Sequence, residues 1–173
     1  MKSESTDIDA IIIVTLSRWD QDVSSASISM AKELSKTVPV FFMDNPFTVK
    51  DVVKGWRTPA IRRRRRALLF GRSMYREVEP GNSRWIAVTP RMVLPINWLP
   101  EGALYNALSR LNNWLFMRSV RAIIRDFGLS NFVFFNSFNP FYGYRLPADI
   151  APRTTIYQSR DNIRESAYIR RHG

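Results

Sequence analysis

Residues 10–16 (AIIIVTL) form an apolar, β-branched run with no polar alternation. A strand with one wet face alternates in polarity. A strand with no alternation predicts burial on both faces, as between the helices of a parallel sheet. Residues 38–43 (VPVFFM) repeat the pattern, with Pro39 placing the start of that strand near an edge or just outside the ladder. Between them, Ile28, Ala31 and Leu34 recur at helical spacing, and Ser24 or Ser25 can cap that helix. Strand, helix and strand in so short a span make a βαβ unit with a right-handed crossover. The fold class expected is therefore α/β, a Rossmann-like parallel sheet flanked by helices.

The rest of the chain extends this reading. Residues 51–56 suggest a short helix, and 84–89 (RWIAVT) a third strand closed by Pro90. The following MVLPINWLPEG is too rich in proline for a helix and reads as a packed loop. A long helix is predicted over 103–127, with Leu104, Leu108, Leu111, Leu115, Val120, Ile123 and Phe127 as its apolar stripe. Asn106, Arg110, Asn113, Arg121 and Arg125 fall on its outer side, and Gly128 ends it as a C-cap. Strands at 131–135 and 154–158 and a helix starting at Asp161 complete the pattern.

Composition narrows the function. The 173 residues carry 26 Lys+Arg against 15 Asp+Glu, a net charge of +11. Ten arginines and only two acids, Glu77 and Glu79, lie between Arg57 and Arg91, so most of the imbalance is local. Five are consecutive: Arg62, Arg63, Arg64, Arg65 and Arg66. This stretch, 57–91, reads as a basic excursion from the α/β frame. Two readings stand: a solvated charge run, or contact with anionic lipid, a pyrophosphate-linked substrate or nucleic acid. Nucleic acid ranks last, because no finger, RNA-recognition motif or recognition-helix pattern accompanies the patch. The absence of Cys removes disulfides, zinc ribbons and a cysteine nucleophile, and the one His, His172, leaves no multi-histidine metal site. No apolar run approaches the roughly 18 residues of a membrane span. The opening MKSESTD is not a secretion signal. A soluble, basic domain of the cytoplasm is the expectation.

In open α/β sheets ligands bind at the carboxyl ends of the strands. Those ends carry Ser17, Arg18, Trp19 and Asp20, then Asp44 and Asn45, then Asn136 and Ser137, then Ser159, Arg160 and Asp161. The cluster suits a binding cleft, although loops are polar in any case. Trp19 can stack on a planar or sugar ring, or plug the core. Asp20, Asp22, Asp44 and Asp161 are carboxylates that can meet at the sheet edge, or serve as caps and turn residues. The first glycine is Gly55, so no GxGxxG follows the first strand and a dinucleotide site is not expected. Walker and GxSxG motifs are also missing from the sequence.

Five segments, TLSRWDQDVSSASISMAKELSK, VFFMDNPFTVKDVV, VLPINWLPEGALYNALSRLN, FFNSFNPFYG and IYQSRDNIRESAYIRRHG, cover nearly all the chain outside the arginine stretch. Together they resemble the amino-terminal half of a GT-B glycosyltransferase of the bacterial family 1/family 4-like group that builds cell-surface polysaccharides. The resemblance implies that residues 1–173 are one acceptor-side domain, with the carboxy-terminal donor-binding domain absent from this chain and supplied in cis or in trans. It implies transfer of a sugar from a nucleotide-sugar donor to a saccharide or lipid-linked acceptor, with no cofactor beyond the donor and no metal. Ser17, Arg18, Trp19 and Asp20 would face the acceptor, and Asn136 and Ser137 would border the transferred sugar. Asp161, at the first position of an acidic pair in related sequences, would be the catalytic residue, although the second position is Asn162 here. Arg62 to Arg66 would contact an anionic surface, placing the protein on the inner face of the cytoplasmic membrane. The alternative is a non-catalytic α/β module that binds a polyanion through its arginines.

Overall fold

The computed structural model describes residues 8–20 and 25–159. It contains a six-stranded sheet in the order β3-β4-β2-β1-β5-β6, flanked by four helices. The strands are β1 (Ala10–Thr15), β2 (Val40–Met43), β3 (Tyr75–Glu77), β4 (Trp85–Val88), β5 (Phe132–Ser137) and β6 (Thr154–Gln158). All neighbours pair in parallel except β3, which runs antiparallel to β4 at one edge. Taken alone, the parallel strands run outward from β1 to β2 and β4 on one side, then to β5 and β6 on the other. The winding reverses between β1 and β5. Among the described residues no helix is long and apolar enough to cross a membrane.

The double-sided burial of β1 has the cause its composition predicts. Ile11 and Ile13 face α1 (Ala26–Leu34), where they pack with Ala31, Val40 and Phe42. Ala10, Ile12 and Val14 face α4 (Ala103–Phe127), where they meet Phe41, Met43, Phe116, Met117, Val120 and Ile123. Ser25 caps α1 by accepting the Ile28 N–H at 3.3 Å. At the amino end of the sheet, the Asp9 carboxylate accepts the N–H groups of Ser130 and Asn131 at 2.8 and 2.7 Å, locking the starts of β1 and β5 together.

Three expectations need correction. The short helix is α2 (Val49–Lys54), two residues earlier than read, because Thr48 and Asp51 form a reciprocal capping box that sets its start. The 57–91 stretch is not an excursion. It holds α3 (Pro59–Phe70), capped by Thr58, begun by Pro59 and stopped by Gly71 in the left-handed conformation, and then β3. Ile61, Ala67 and Leu68 bury one stripe of α3 beneath the arginines.

The bounds of α4 are those its pattern predicts, but the first half of its stripe is not. Leu104 is 61% exposed and Leu111 is 40% exposed, whereas Tyr105 and the polar Asn112 are buried. The proline-rich loop explains this, since Ile96 and Leu99 cover Tyr105 and Leu108. The Asn112 carboxamide donates to the Leu94 carbonyl at 2.9 Å and accepts its N–H at 2.8 Å, so a polar side chain faces inward with both groups satisfied. Asn113 and Arg121, read as outward-facing, instead hold the β5–β6 connection, accepting from the Gly143 N–H and pairing with Asp149.

That connection packs Tyr142, Leu146 and Ile150 onto the α4 face of the sheet. Its closest approach is at Gly143, with φ of 76°, where a Cβ would lie 2.9 Å from Phe134 Cζ. Phe134 is fully buried in β5 and cannot retreat without opening the core. Gly143→Ala is therefore expected to destabilise the domain by about 1–3 kcal/mol, adding strain to overpacking. Urea denaturation measures it, and a midpoint equal to wild type would refute the close approach.

Candidate functional site

The carboxyl ends of β1 and β2 are joined by a buried charge cluster. Arg64, on the inner stripe of α3, has a side chain only 4% exposed. Its Nη2 donates to Asp20 Oδ1 at 2.7 Å and to Asp44 Oδ2 at 3.0 Å, its Nη1 to Asp20 Oδ2 at 2.8 Å, and its Nε to Asp44 Oδ2 at 3.1 Å. Asp44 also accepts the Trp19 N–H at 3.0 Å. One guanidinium thus serves two carboxylates, with exposed Arg63 3.6 Å from Asp20.

The two acids respond oppositely. Burial pushes Asp44 up to about 6 against the pull of Arg64 and the Trp19 N–H. Partial burial also raises Asp20, but the hydrogen bonds and charge of Arg64 outweigh it and hold that carboxyl below its ordinary value. Arg64 is desolvated too, yet its acidic partners raise it overall.

This geometry revises several expected sites. Arg64 does not belong to an exposed anionic-contact surface, because it is the buried counter-ion of Asp20 and Asp44. Arg65 is half-buried, with its guanidinium 4.3 Å from the Trp56 ring and Nη2 donating to the Trp56 carbonyl. Arg62, Arg63 and Arg66 are exposed, as expected. Asp20 is bound to Arg64 and does not line the cavity described below. Trp19 plugs rather than presents, since its ring joins the cluster packed on the α1 face.

Asn136 is buried, and its carboxamide donates to the carbonyls of Asn139 and Tyr142 at 2.9 and 3.2 Å while accepting the Asn139 N–H at 2.8 Å. Its role visible here is to shape the loop after β5. Ser137 joins a buried line of hydroxyls, 3.1 Å from Ser27, which is 3.1 Å from Thr15. The Ser137 hydroxyl also donates to Gln158 at 3.1 Å. Asp161 lies outside the described residues.

Of the β1 loop, Arg18 lines the cavity described below, while Ser17 beside it does not. The Ser17 carbonyl accepts the Asn45 N–H at 3.0 Å, and Arg18 Nε donates to the Asn45 carbonyl at 3.0 Å. The Arg18 guanidinium lies 3.8 Å from the Phe47 ring centroid, a cation–π contact that helps hold it in place. Desolvation lowers its pKa, partly offset by Asp44 and Asp51.

Arg18 forms part of the wall of a cavity of about 400 Å³ bounded by the ends of β1 and β2, the loop after β5 and the first half of α4. Asn45, Thr48, Asp51, Asn97, Tyr105, Ser109 and Tyr142 contribute to the lining. The cavity straddles the reversal of winding between β1 and β5, where open α/β sheets hold ligands. A cation, amides, hydroxyls and aromatic rings together suit a polar molecule rich in hydroxyl or phosphoryl oxygen. Asn97, Tyr105 and Ser109 were not singled out in the sequence. The spacing of Tyr105, Ser109 and Asn112 marks one α4 face, but that face reads as solvated unless the covering loop is known. No protein-family model, curated protein or solved structure matches this chain.

Breaking the cluster strands buried charge. Arg64→Met is expected to cost about 3–5 kcal/mol, as for a buried pair deprived of one partner. Arg63→Ala, at an exposed position, is expected to cost at most about 1 kcal/mol. Comparable losses for the two variants in denaturant titrations would disprove this ranking.

The raised Asp44 also sets a sign for pH. Its folded value of about 6 exceeds the ordinary 3.8, so its contribution to stability is complete below 3.8 and lost as pH rises through 6. Asp20 acts in the opposite sense, losing its contribution as pH falls below the ordinary carboxylate range. Asp44→Asn should flatten the decline of stability between pH 4 and 7, read from chemical denaturation at both ends of that window. An unchanged slope would show that Asp44 does not titrate there.

Proposed function

We propose that the chain is the Rossmann-like acceptor-side domain of a GT-B glycosyltransferase, acting on a saccharide or lipid-linked acceptor in cell-surface polysaccharide synthesis. The observation that carries the reading is the cavity at the winding reversal, with Arg18 held over Phe47 in its wall. Its lining matches a polyhydroxylated ligand: amides and hydroxyls for sugar oxygens, and a partly desolvated guanidinium for an acidic or phosphoryl substituent.

In this reading a nucleotide-sugar donor is held by a carboxy-terminal domain in cis or in trans. The acceptor hydroxyl oxygen attacks the anomeric carbon, the bond to the nucleotide phosphate breaks, and the hydroxyl proton passes to a carboxylate. The resemblance puts the catalytic residue at Asp161. The part assigned to this chain's cavity is positioning, which converts an encounter in solution into a held geometry. No metal ligand set is assigned, and the donor is the substrate.

Calorimetric titration with acceptor-type saccharides, neutral and uronic or phosphorylated, tests the cavity. Arg18→Gln is expected to weaken binding of the anionic ligands by about tenfold, the cost of a lost charge-assisted hydrogen bond. Equal affinity in wild type and Arg18→Gln would remove the cavity from the reading. Calorimetric titration of a chain extended past residue 173 with a nucleotide sugar should show binding if the donor domain lies in cis.

A second reading, a module that binds anionic membrane through its arginines, is favoured by one surface. Arg62, Arg63 and Arg66 project from α3 beside exposed Leu69 and Phe70. Both readings allow attachment at the cytoplasmic membrane face, worth about 1 kcal/mol per basic residue near anionic lipid. Retention on anionic vesicles at low salt should fall on replacing those three arginines with Gln. Vesicle binding combined with no saccharide binding would favour the module, and unchanged retention would remove the surface from both readings.

A further inference from the structure

A second cavity, of about 230 Å³, lies against the later half of α4. Four arginines contribute to it: Arg91, from the segment after β4, and Arg118, Arg121 and Arg125 from α4. Spacings of three and four residues put the last three on one helical face, where like charges repel unless something offsets them. Two of the four are offset. Arg121 is paired with Asp149, its Nη2 donating at 2.8 Å, and Arg125 with Asp126 at 2.7 Å. Asp126 is further engaged by the Tyr75 hydroxyl at 2.7 Å.

Arg91 and Arg118 have no acidic partner among the described residues. Arg118 lies 5.0 Å from the Trp114 ring centroid, and the Arg91 backbone N–H donates to the Ser119 hydroxyl at 3.2 Å. The end of α3 makes room for this arrangement. A Cβ at Gly71 would stand 2.9 Å from Arg91 Nη2, and the left-handed φ of 64° disfavours a side chain there in any case. The guanidinium therefore rests directly against the last turn of α3.

The geometry points to a binding site for a phosphoryl group, carried either by a soluble phosphate compound or by a lipid headgroup. Arginine forks match tetrahedral oxyanions through paired charge-assisted hydrogen bonds. At about 230 Å³ the site falls below the roughly 300–1,000 Å³ of pockets for drug-sized ligands, which suits a small anion or headgroup. It shares no lining residue with the larger cavity and does not depend on the glycosyltransferase reading.

Two soluble probes separate the sources: inorganic pyrophosphate, and dihexanoyl phosphatidic acid below its micelle concentration. Calorimetry at low ionic strength should show saturable binding of at least one. Arg118→Gln should weaken it by about tenfold, and R91Q/R118Q further. Arg118 is exposed, so the single variant keeps the fold and decides the result even if the double variant does not fold. The single variant Lys54→Gln, on the exposed side of α2 and outside both cavities, serves as a control and should stay within about twofold of wild type. Pyrophosphate binding identifies a soluble phosphate source, and binding of the lipid probe alone identifies a headgroup. Failure of both probes to bind, unchanged affinity in Arg118→Gln, or an equal loss in the Lys54→Gln control would overturn the site.

Discussion

The candidate cleft depends on one guanidinium. Arg64 projects inward from α3 and holds Asp20, after β1, and Asp44, at the end of β2, within a single set of hydrogen bonds. Those contacts close the β1 loop over the strand ends, and the Trp19 N–H adds a further tie to Asp44. Arg18 can then reach the Asn45 carbonyl and lie on Phe47. Two acids sharing one buried cation leave the more enclosed carboxylate under-compensated, which explains why Asp44 and Asp20 shift in opposite directions.

The same cluster gives the arginine run two roles. An unbroken run of five suggests a uniform charged surface, but a helix sorts its residues by angle. Arg64 falls on the stripe of Ile61, Ala67 and Leu68, while Arg62, Arg63 and Arg66 face water. The charge excess is divided again along α4, where acids neutralise Arg121 and Arg125 but not Arg118. The net charge alone therefore says little about where an anion would meet the protein.

Features carried by local pattern were legible. β1 and the bounds of α4 follow from apolar patterning and from a glycine stop, and β6 from a β-branched and aromatic run, all of which act over a few residues. The caps of α3, Thr58-Pro59 and Gly71, were also present, but five arginines masked its apolar stripe. β3 is a three-residue antiparallel edge strand with almost no pattern to read. At the site, Arg18 and Asn45 follow from the strand-end rule, whereas the Arg64–Asp20 pair spans 44 residues and leaves no local trace. Asn112 leaves no local trace either: a buried amide that satisfies a loop backbone cannot be told from a solvated one until the loop is in place.

The central position of β1 has a consequence for how the chain folds. One neighbour, β2, arrives early, but the other, β5, lies 122 residues downstream where Asp9 meets Asn131. At about 5–20 residues per second, synthesis alone separates the two by roughly 6–24 s. During that interval the most apolar strand of the domain has an open ladder edge, and its α4 face has no helix to cover it. Long-range parallel pairing of this kind is slow to close and exposed to mispairing while it waits. A strand covered on both faces in the finished fold is thus the one most in need of protection on the ribosome.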